Sequence, residues 1–314
     1  MTVCWSRPFA FVVSGVMSGL SRLCLWIGLC TSMGFLTFTW MPPASALPFD
    51  GVSSPLIGSS PTVLLADSSQ STKPLSDKEI IDYLDDLKQR AFATANAGQY
   101  DEAIANWTEL IDYFPQQAEL WSNRGNIYTA QRKMDLALAD YDKAVELAPD
   151  AVDPWVNRGV AWEILREWDK AIADYNQALK LNPDDPVAHN NRGNAQAGKG
   201  NWYGAIADYN QATILDPQFA FAKANYALAL YETGEHELSI KTMRQILQRY
   251  PQFADVRASL TAALWLEGKS GEAESNWYAV EGLDQRYKDI EWVTNVRRWP
   301  SSLVEGLENF LTLQ

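Results

Sequence analysis

The chain has 314 residues, of which 47% are hydrophobic, 21% charged and 12% aromatic, and its formal net charge is −13. This apolar content is enough for a folded core and excludes a wholly disordered chain, while the length allows one large domain or two ordinary ones. Because an acidic chain repels a phosphate backbone, no nucleic-acid partner is expected.

The first 46 residues are predicted to be a secretory signal peptide. Residues 1–41 contain two arginines and no acidic residue, and the stretch 23–41 is almost continuously apolar. Two prolines follow, and then Ala44-Ser45-Ala46 places small residues at the positions that signal peptidase accommodates, so cleavage is expected after Ala46. The alternative is an uncleaved membrane anchor, because the nineteen residues 23–41 are long enough to span a bilayer.

All cysteines of the chain lie in this N-terminal segment, at Cys4, Cys24 and Cys30. After cleavage the mature protein would contain none. A disulfide framework is therefore not expected in the body of the chain.

Residues 47–76 are predicted to be a flexible linker. They are rich in Ser, Pro, Gly and Thr and show no helical or strand period beyond a short apolar run at 62–66. At the end of the linker, Ser76 precedes the carboxylate of Glu79 by three residues, just before an apolar pattern that begins at Ile80. This spacing is a capping box, so a helix is predicted to begin there.

The body of the chain repeats with a period of 34 residues. A large ring followed by x-Asn-Arg-Gly recurs at 121–125, 155–159 and 189–193. The same shift aligns three further columns of Ala, Tyr and Pro: Ala137, Ala171 and Ala205; Tyr141, Tyr175 and Tyr209; Pro149, Pro183 and Pro217. This pattern resembles the tetratricopeptide repeat, with its large residue at position 4, small residues at 8, 20 and 27, aromatic residues at 11 and 24, and Pro at 32.

The resemblance implies an all-α fold, a solenoid in which antiparallel helix pairs stack into a right-handed superhelix. Residues 77–287 are predicted to hold six gapless repeats, the first and the last two matching the pattern less well: 84–117, 118–151, 152–185, 186–219, 220–253 and 254–287. Positions 4, 8 and 11 share one face of a first helix, and positions 20, 24 and 27 share one face of a second. Glycine at position 15 is expected in a left-handed turn between the two helices.

Residues 288–314 are predicted to be a C-terminal capping segment. Pro300 opens a last helix whose Leu303, Leu307 and Phe310 fall on one face, and this helix is expected to cover the apolar end of the stack. The motifs at 287–292 (YKDIEW) and 297–300 (RRWP) also resemble a family of tetratricopeptide proteins of the chloroplast thylakoid lumen and their cyanobacterial relatives. That second resemblance implies an address in the thylakoid lumen or the periplasm, with a membrane anchor at 23–41 as the alternative.

No catalytic residue, cofactor or metal site is expected. The two histidines, His189 and His236, occupy repeat positions 4 and 17 and are interpreted as packing or surface variants. No Gly-rich phosphate loop or nucleophile elbow is present in the sequence. Seven tryptophans fall on repeat positions that form the core. Three lie outside those positions and are predicted to be contact residues for a partner: Trp265, Trp292 and Trp299.

The repeat positions that face the concave groove in the resembled family are rich in asparagine. The predicted partner-binding residues are Asn123, Asn126, Asn157, Asn190, Asn191, Asn194 and Asn225. Acidic and aromatic residues also fall at groove positions: Glu119, Asp153, Glu163, Phe221 and Tyr231. Because an amide can both donate and accept, such a row can bind an extended peptide backbone. The alternative is that the asparagines at position 6 cap or bridge neighbouring helices.

Arginine at position 7 and aspartate at position 23 occur together in the three best repeats. The pairs are Arg124 with Asp140, Arg158 with Asp174, and Arg192 with Asp208. Each arginine is predicted to reach the aspartate of its own or an adjacent helix pair as a partly buried ion pair.

These features predict an exported, non-enzymatic scaffold or adaptor that binds a peptide segment or helix of a protein partner in its groove. Its expected role is the assembly or maintenance of a membrane protein complex. The chain would contact the membrane only through its N-terminal segment, and only if that segment is not cleaved. The alternative is a permanent structural subunit of a larger complex, which should expose a large apolar patch.

Overall fold

The computed structural model describes residues 76–313, and within this range the regular structure is helical. The predicted signal peptide 1–46, the alternative anchor 23–41 and the linker up to residue 75 lie outside the described residues. Two compact units are present, one ending at Pro115 and the other beginning at Gln116. In the described part of the chain, no helix is both long enough and apolar enough to cross a bilayer.

Among the described residues, the first unit contains one helix pair, α1 (Asp77–Asn96) and α2 (Tyr100–Tyr113). The predicted capping box at the start of α1 is confirmed: Ser76 N–H donates to Glu79 Oε2 at 2.7 Å, and Glu79 N–H donates to Ser76 Oγ at 3.4 Å. The two helices bury small and large apolar side chains between them, and the rings of Phe92 and Trp107 meet edge to face at 4.8 Å. This packing holds the pair together.

The second unit contains five helix pairs and a C-terminal segment. The pairs are α3 (Ala118–Ala130) and α4 (Met134–Leu147); α5 (Val152–Ile164) and α6 (Trp168–Leu181); α7 (Pro186–Gly198) and α8 (Trp202–Leu215); α9 (Ala220–Glu232) and α10 (His236–Arg249); α11 (Ala254–Leu266) and α12 (Ser270–Leu283). The helices of a pair are joined by turns of three residues, which makes them antiparallel neighbours. The predicted all-α solenoid is confirmed.

Glycine at position 8 lets the two helices of a pair approach each other. A Cβ atom added to Gly159 would lie 2.6 Å from the ring of Tyr175, and the equivalent distance from Gly193 to Tyr209 is also 2.6 Å. Both tyrosine rings are buried. In the repeats that have both residues, the glycine and the tyrosine therefore form one packing unit, in which the ring fills the space that a side chain at position 8 would need.

The turn inside each pair places position 15 in the left-handed region. Gly98, Gly200, Gly234 and Gly268 adopt φ values between 71° and 89°, as the sequence predicts. In two repeats an arginine takes this position instead, and Arg132 and Arg166 both have φ 61°. The hydrogen bonds that end the first helix therefore require the left-handed conformation at position 15, whether the residue is glycine or arginine. Arginine adopts it at a cost in backbone strain.

The stack of the second unit is curved, with the first helices on its inner side. Successive first helices, such as α3 and α5 or α5 and α7, approach each other closely. Among the described residues, successive second helices make no comparable approach. Since the side where the helices lie closer is the shorter one, α3, α5, α7, α9 and α11 line the concave face.

The C-terminal segment packs on two of these first helices. It contains a 3₁₀ turn (Gln285–Lys288), a short helix α13 (Ile290–Trp292) that continues into one π turn (Val293–Arg297), and α14 (Ser301–Thr312). Helix α14 lies against α11 and α9, and the three apolar residues that the sequence predicts on one face are fully buried: Leu303, Leu307 and Phe310. The ring of Phe310 meets Trp265 at 5.4 Å and Trp277 at 5.6 Å. The capping helix therefore covers apolar side chains of the last repeats.

Candidate functional site

Buried ion pairs connect the two helices of each central repeat. Arg158 Nε and Nη2 donate to the two carboxylate oxygens of Asp174 at 2.8 and 2.7 Å. The same bidentate geometry joins Arg124 to Asp140 and Arg192 to Asp208. The prediction of these three pairs is confirmed, and the pairs fix the orientation of each first helix.

Neighbouring repeats are also tied through these arginines. Arg158 Nη1 donates to Asp142 of the preceding helix pair at 2.7 Å, and its guanidinium lies 5.0 Å from the centre of the Trp155 ring. The hydrogen bonds to Asp174 raise the pKa of the Arg158 guanidinium. The arginine therefore stays charged and bridges two neighbouring helix pairs.

Asp208 has a second partner in addition to Arg192. The Nδ1 atom of His189 lies 3.5 Å from Asp208 Oδ1, and its Nε2 atom lies 2.9 Å from the carbonyl oxygen of Pro183. Burial alone would raise the pKa of the Asp208 carboxyl, but the hydrogen bonds from His189 and Arg192 outweigh it and lower that pKa. His189 thus packs at position 4 as a hydrogen-bonded residue.

The predicted asparagine row divides into two parts, and the first part bridges α7 and α9. Asn225 Nδ2 lies 3.1 Å from both Asn190 Oδ1 and Asn194 Oδ1. Asn194 also accepts from the hydroxyl of Tyr209 at 2.9 Å, and Asn190 donates to Asn191 at 3.2 Å. The structure therefore gives Asn190, Asn194 and Asn225 a bridging role between two first helices.

The second part of the row lies on α3 and α5. Asn126 accepts from the hydroxyl of Tyr141 at 2.7 Å, whereas the amides of Asn123 and Asn157 have no hydrogen-bond partner among the described residues. Asn123 is half-buried, and Asn157 is 6% exposed. These two amides occupy position 6 in successive repeats, on first helices that approach each other along the concave face.

A cluster of polar groups fixes the C-terminal segment to the start of α11. The carboxylate of Asp255 accepts from Arg297 at 2.9 and 2.6 Å, from the hydroxyl of Tyr287 at 2.7 Å and from Trp299 Nε1 at 3.1 Å. Trp299 is buried, and Trp292 packs edge to face on Tyr287 at 5.2 Å. Of the three tryptophans predicted to be contact residues, Trp299 is buried within the chain, which contradicts the prediction for that residue. Trp265 and Trp292 are half-buried, and for them it stays a prediction.

Arg298 connects the same segment to repeat 3. Its Nη1 atom donates to Glu163 Oε1 at 3.0 Å, and its Nη2 atom donates to the carbonyl oxygen of Glu163 at 3.3 Å. The guanidinium carbon lies 5.2 Å from the centre of the Trp168 ring. The sequence indicated Glu163 as a groove residue, but nothing in its pattern indicated a partner 135 positions away.

His236 and its surroundings offer no metal-binding arrangement. The imidazole stacks on the ring of Tyr231 at 4.2 Å, and its Nδ1 atom lies 2.9 Å from Glu267 Oε1. Over residues 76–313, no group of three His, Cys, Asp or Glu side chains is placed to hold a metal ion.

Family models for the tetratricopeptide repeat match residues 93–152, 166–200 and 190–254. No curated protein matches the sequence. Among solved structures, a tetratricopeptide repeat protein from Parabacteroides merdae is 18% identical, the match covers 74% of this chain and 99% of that chain, and the TM-score is 0.57. That structure shares the fold.

Two further structures are less similar in shape. A thermophilic TPR protein from Thermus thermophilus is 18% identical over 58% of this chain and 98% of its own, with a TM-score of 0.49. YrrB, described as a TPR protein with an unusual peptide-binding site, is 16% identical over 61% of this chain and 97% of its own, with a TM-score of 0.47. From its repeat matches, its helix pairs and its shared fold, the chain contains tetratricopeptide repeats stacked as an α-solenoid.

Proposed function

We propose that this protein is a non-enzymatic adaptor that binds an extended segment of a protein partner on the concave face of α3, α5 and α7. The observation that supports the proposal is the pair of unpartnered amides on successive first helices, Asn123 and Asn157. Each amide offers a donor and an acceptor, which are the two groups that an extended backbone also presents. A peptide lying across the two helices can therefore be bound without a demand for one sequence.

The proposed binding face is shorter than the predicted row. Asn190, Asn194 and Asn225 already hydrogen-bond to one another and to a tyrosine, so a partner would have to break those contacts to use them. Asn191, which follows Asn190 on α7, forms the edge of the face. Because an extended peptide rises about 3.3 Å per residue, three adjacent helices can bind a segment on the order of eight to ten residues.

The test is selection from a library of random dodecapeptides against the full chain. Selected peptides are then titrated against the wild type, against the double variant Asn123→Ala/Asn157→Ala, and against Asn210→Ala. Asn210 is an exposed asparagine on α8, a second helix, and serves as the matched control. Two lost neutral hydrogen bonds contribute roughly 1–3 kcal/mol together, so the double variant should bind about tenfold more weakly, or worse.

The control variant should bind the peptides as the wild type does. If no peptide is selected, or if the double variant binds them unchanged, the concave face of α3 and α5 is not the binding site. A permanent subunit would behave differently from an adaptor, because it would be recovered in a fixed ratio with another chain and would not exchange its partner.

We also propose that the protein acts after export, in the assembly or maintenance of a membrane protein complex. The N-terminal segment with its small-residue cleavage site supports export, and the C-terminal motifs at 287–292 and 297–300 support an address in the thylakoid lumen or the periplasm. Isolation of the protein from the soluble content of such a compartment tests the proposal. Recovery only with the membrane, beginning at Met1, would favour the anchor.

A further inference from the structure

The chain between α13 and α14 contacts both α11 and α5 of the second unit. Arg297 and Trp299 are bound to Asp255 at the start of α11. Arg298, between them, extends its side chain in another direction and reaches the C-terminal end of α5. Residues 295–302, which we name the strap, therefore span from repeat 6 to repeat 3.

The strap has further contacts beyond Arg298. Ser301 and Ser302 donate to the carboxylate of Glu232 at the end of α9, at 3.0 Å from Ser301 Oγ and 3.1 Å from the Ser302 amide. Arg166 Nη2, in the turn after α5, donates to Asn295 Oδ1 at 3.2 Å. The strap is thus bound at the C-terminal ends of two first helices.

The pocket that receives Arg298 combines three features that suit a guanidinium group. Glu163 supplies a carboxylate and a backbone carbonyl, and Trp168 supplies the face of an indole ring. The carbonyl belongs to the last turn of α5, where the helix dipole places partial negative charge. A planar fork of N–H donors can satisfy both acceptors and stack on the ring, whereas the compact ammonium of lysine cannot do both.

One wall of the pocket, the Glu163 carboxylate, is held in place by a residue outside the strap. The hydroxyl of Tyr175 donates to Glu163 Oε2 at 3.2 Å and so orients the carboxylate. Burial raises the pKa of the Glu163 carboxyl, and the charge of Arg298 opposes that shift. An unoccupied pocket would leave a buried carboxylate without a cation, and either a proton or another cation would then neutralise it.

Arg298 occupies the pocket under strain. It has φ 55° and ψ 44°, a left-handed conformation that is unfavourable for a residue with a side chain. Its Nε atom is buried and has no hydrogen-bond partner among the described residues. Both features weaken the intramolecular contact relative to an arginine that reaches the pocket from a relaxed backbone.

We propose that the strap closes the concave face between α5 and α11, and that a protein partner opens it by placing an arginine of its own in the Glu163–Trp168 pocket. The role of the partner rests on the proposed function, whereas the pocket and its specificity do not. Because the strap is part of the same chain, its effective concentration at the pocket is on the order of millimolar. A partner arginine must therefore be supported by other contacts on the face.

The experiment uses the full chain and two small probes, N-acetyl-arginine amide and N-acetyl-lysine amide. Hydrogen exchange of residues 293–302 is measured in the wild type, in Arg298→Ala and in Arg244→Ala, a control in which an exposed arginine loses its ion pair with Glu272. Exchange in this segment should rise at least tenfold in Arg298→Ala and stay unchanged in the control. The arginine probe should bind Arg298→Ala at least tenfold more tightly than the lysine probe, and Glu163→Gln/Arg298→Ala should lose that preference.

Unchanged exchange in Arg298→Ala, or equal binding of the two probes, would overturn the proposal. If Arg298→Ala unfolds, Arg298→Lys keeps the charge, and a local rise in exchange at 293–302 is then the expected result.

Dodecapeptides selected on the concave face separate the two proposals. Arginine-containing peptides should bind Arg298→Ala more tightly than the wild type. If these peptides bind the wild type and Arg298→Ala equally, the strap does not regulate the concave face. The proposal that the face binds peptides would then still hold.

Discussion

The guanidinium of Arg297 and the carboxylate of Asp255 form a bidentate ion pair, at 2.9 and 2.6 Å, between residues 42 positions apart. Burial alone would raise the pKa of the Asp255 carboxyl. The charge of Arg297, together with the hydrogen bonds from Arg297, Tyr287 and Trp299, outweighs burial and lowers that pKa. The cap is therefore held to α11 by a carboxylate that must remain ionised.

This pair predicts how stability depends on pH in the acid range. Since the folded-state pKa of Asp255 lies below its unfolded value of about 3.9, the stability that it contributes is present above about pH 5. That stability is lost as the pH falls through the folded-state value. Melting temperatures measured from pH 7 to pH 3 should decline less steeply for Asp255→Asn, which starts lower because Arg297 is left buried without its charge partner.

The control for this measurement is Asp150→Asn, an exposed carboxylate in the turn after α4. It should keep the pH dependence of the wild type. A variant Asp255→Asn with the wild-type slope would show that other carboxylates dominate the acid unfolding.

The ion pair of Arg158 and Asp174 predicts a large loss of stability when one partner is removed. Arg158→Leu leaves the Asp174 side chain, only 6% exposed, without its cation, and should lower the free energy of unfolding by about 3 kcal/mol. Arg244→Leu breaks an ion pair in which both side chains are 44% exposed or more, and should cost less than about 1 kcal/mol. Urea unfolding of both variants measures the difference, and equal losses would contradict the prediction.

The contact between Gly159 and Tyr175 predicts the effect of a single methyl group. Gly159→Ala would bring a Cβ atom to 2.6 Å from the ring, so the helices must separate, at a cost of about 1–3 kcal/mol. Gly282→Ala in α12 has no atom within 4 Å of the new Cβ and should instead stabilise the helix by up to about 1 kcal/mol. Thermal unfolding should therefore move in opposite directions for the two substitutions.

The left-handed arginine at position 15 predicts a stabilising substitution. Arg132 has φ 61°, and Arg132→Gly removes the strain of its side chain at the price of a more flexible unfolded chain, for a net gain of about 0.5–1 kcal/mol. The adjacent Lys133 has φ −87°, so Lys133→Gly should lower stability. A loss of stability in Arg132→Gly would show that its side-chain contacts outweigh the backbone strain.

The N-terminal segment predicts where the mature protein begins. If Ala44-Ser45-Ala46 is the cleavage site, N-terminal sequencing of the protein purified from its natural source should begin at Leu47. An Ala46→Arg variant should block processing and leave the full chain. A wild-type sequence that begins at Met1 would contradict the prediction.

The sequence determined the features that lie within one repeat. The 34-residue period predicts the helix pairs, and the common spacing of Arg158 and Asp174 predicts their ion pair, because residues on facing helices of one pair meet through local geometry. The capping box of Ser76 was predicted for the same reason, since its two groups are three positions apart. Such contacts follow from helix geometry, which a single sequence already specifies.

Only the tertiary structure decided the contacts that depend on how the repeats curve around one another. The sequence left Asn225 open between a partner contact and a helix bridge, and the spacing of α7 and α9 makes it a bridge to Asn190. It predicted a capping helix, but Arg298 reaches Glu163 only because the curvature of the stack brings repeat 3 within reach of the segment that follows repeat 6. The approach of these two parts of the chain depends on the sum of small rotations between successive repeats. Side-chain packing sets those rotations, and the repeat period does not.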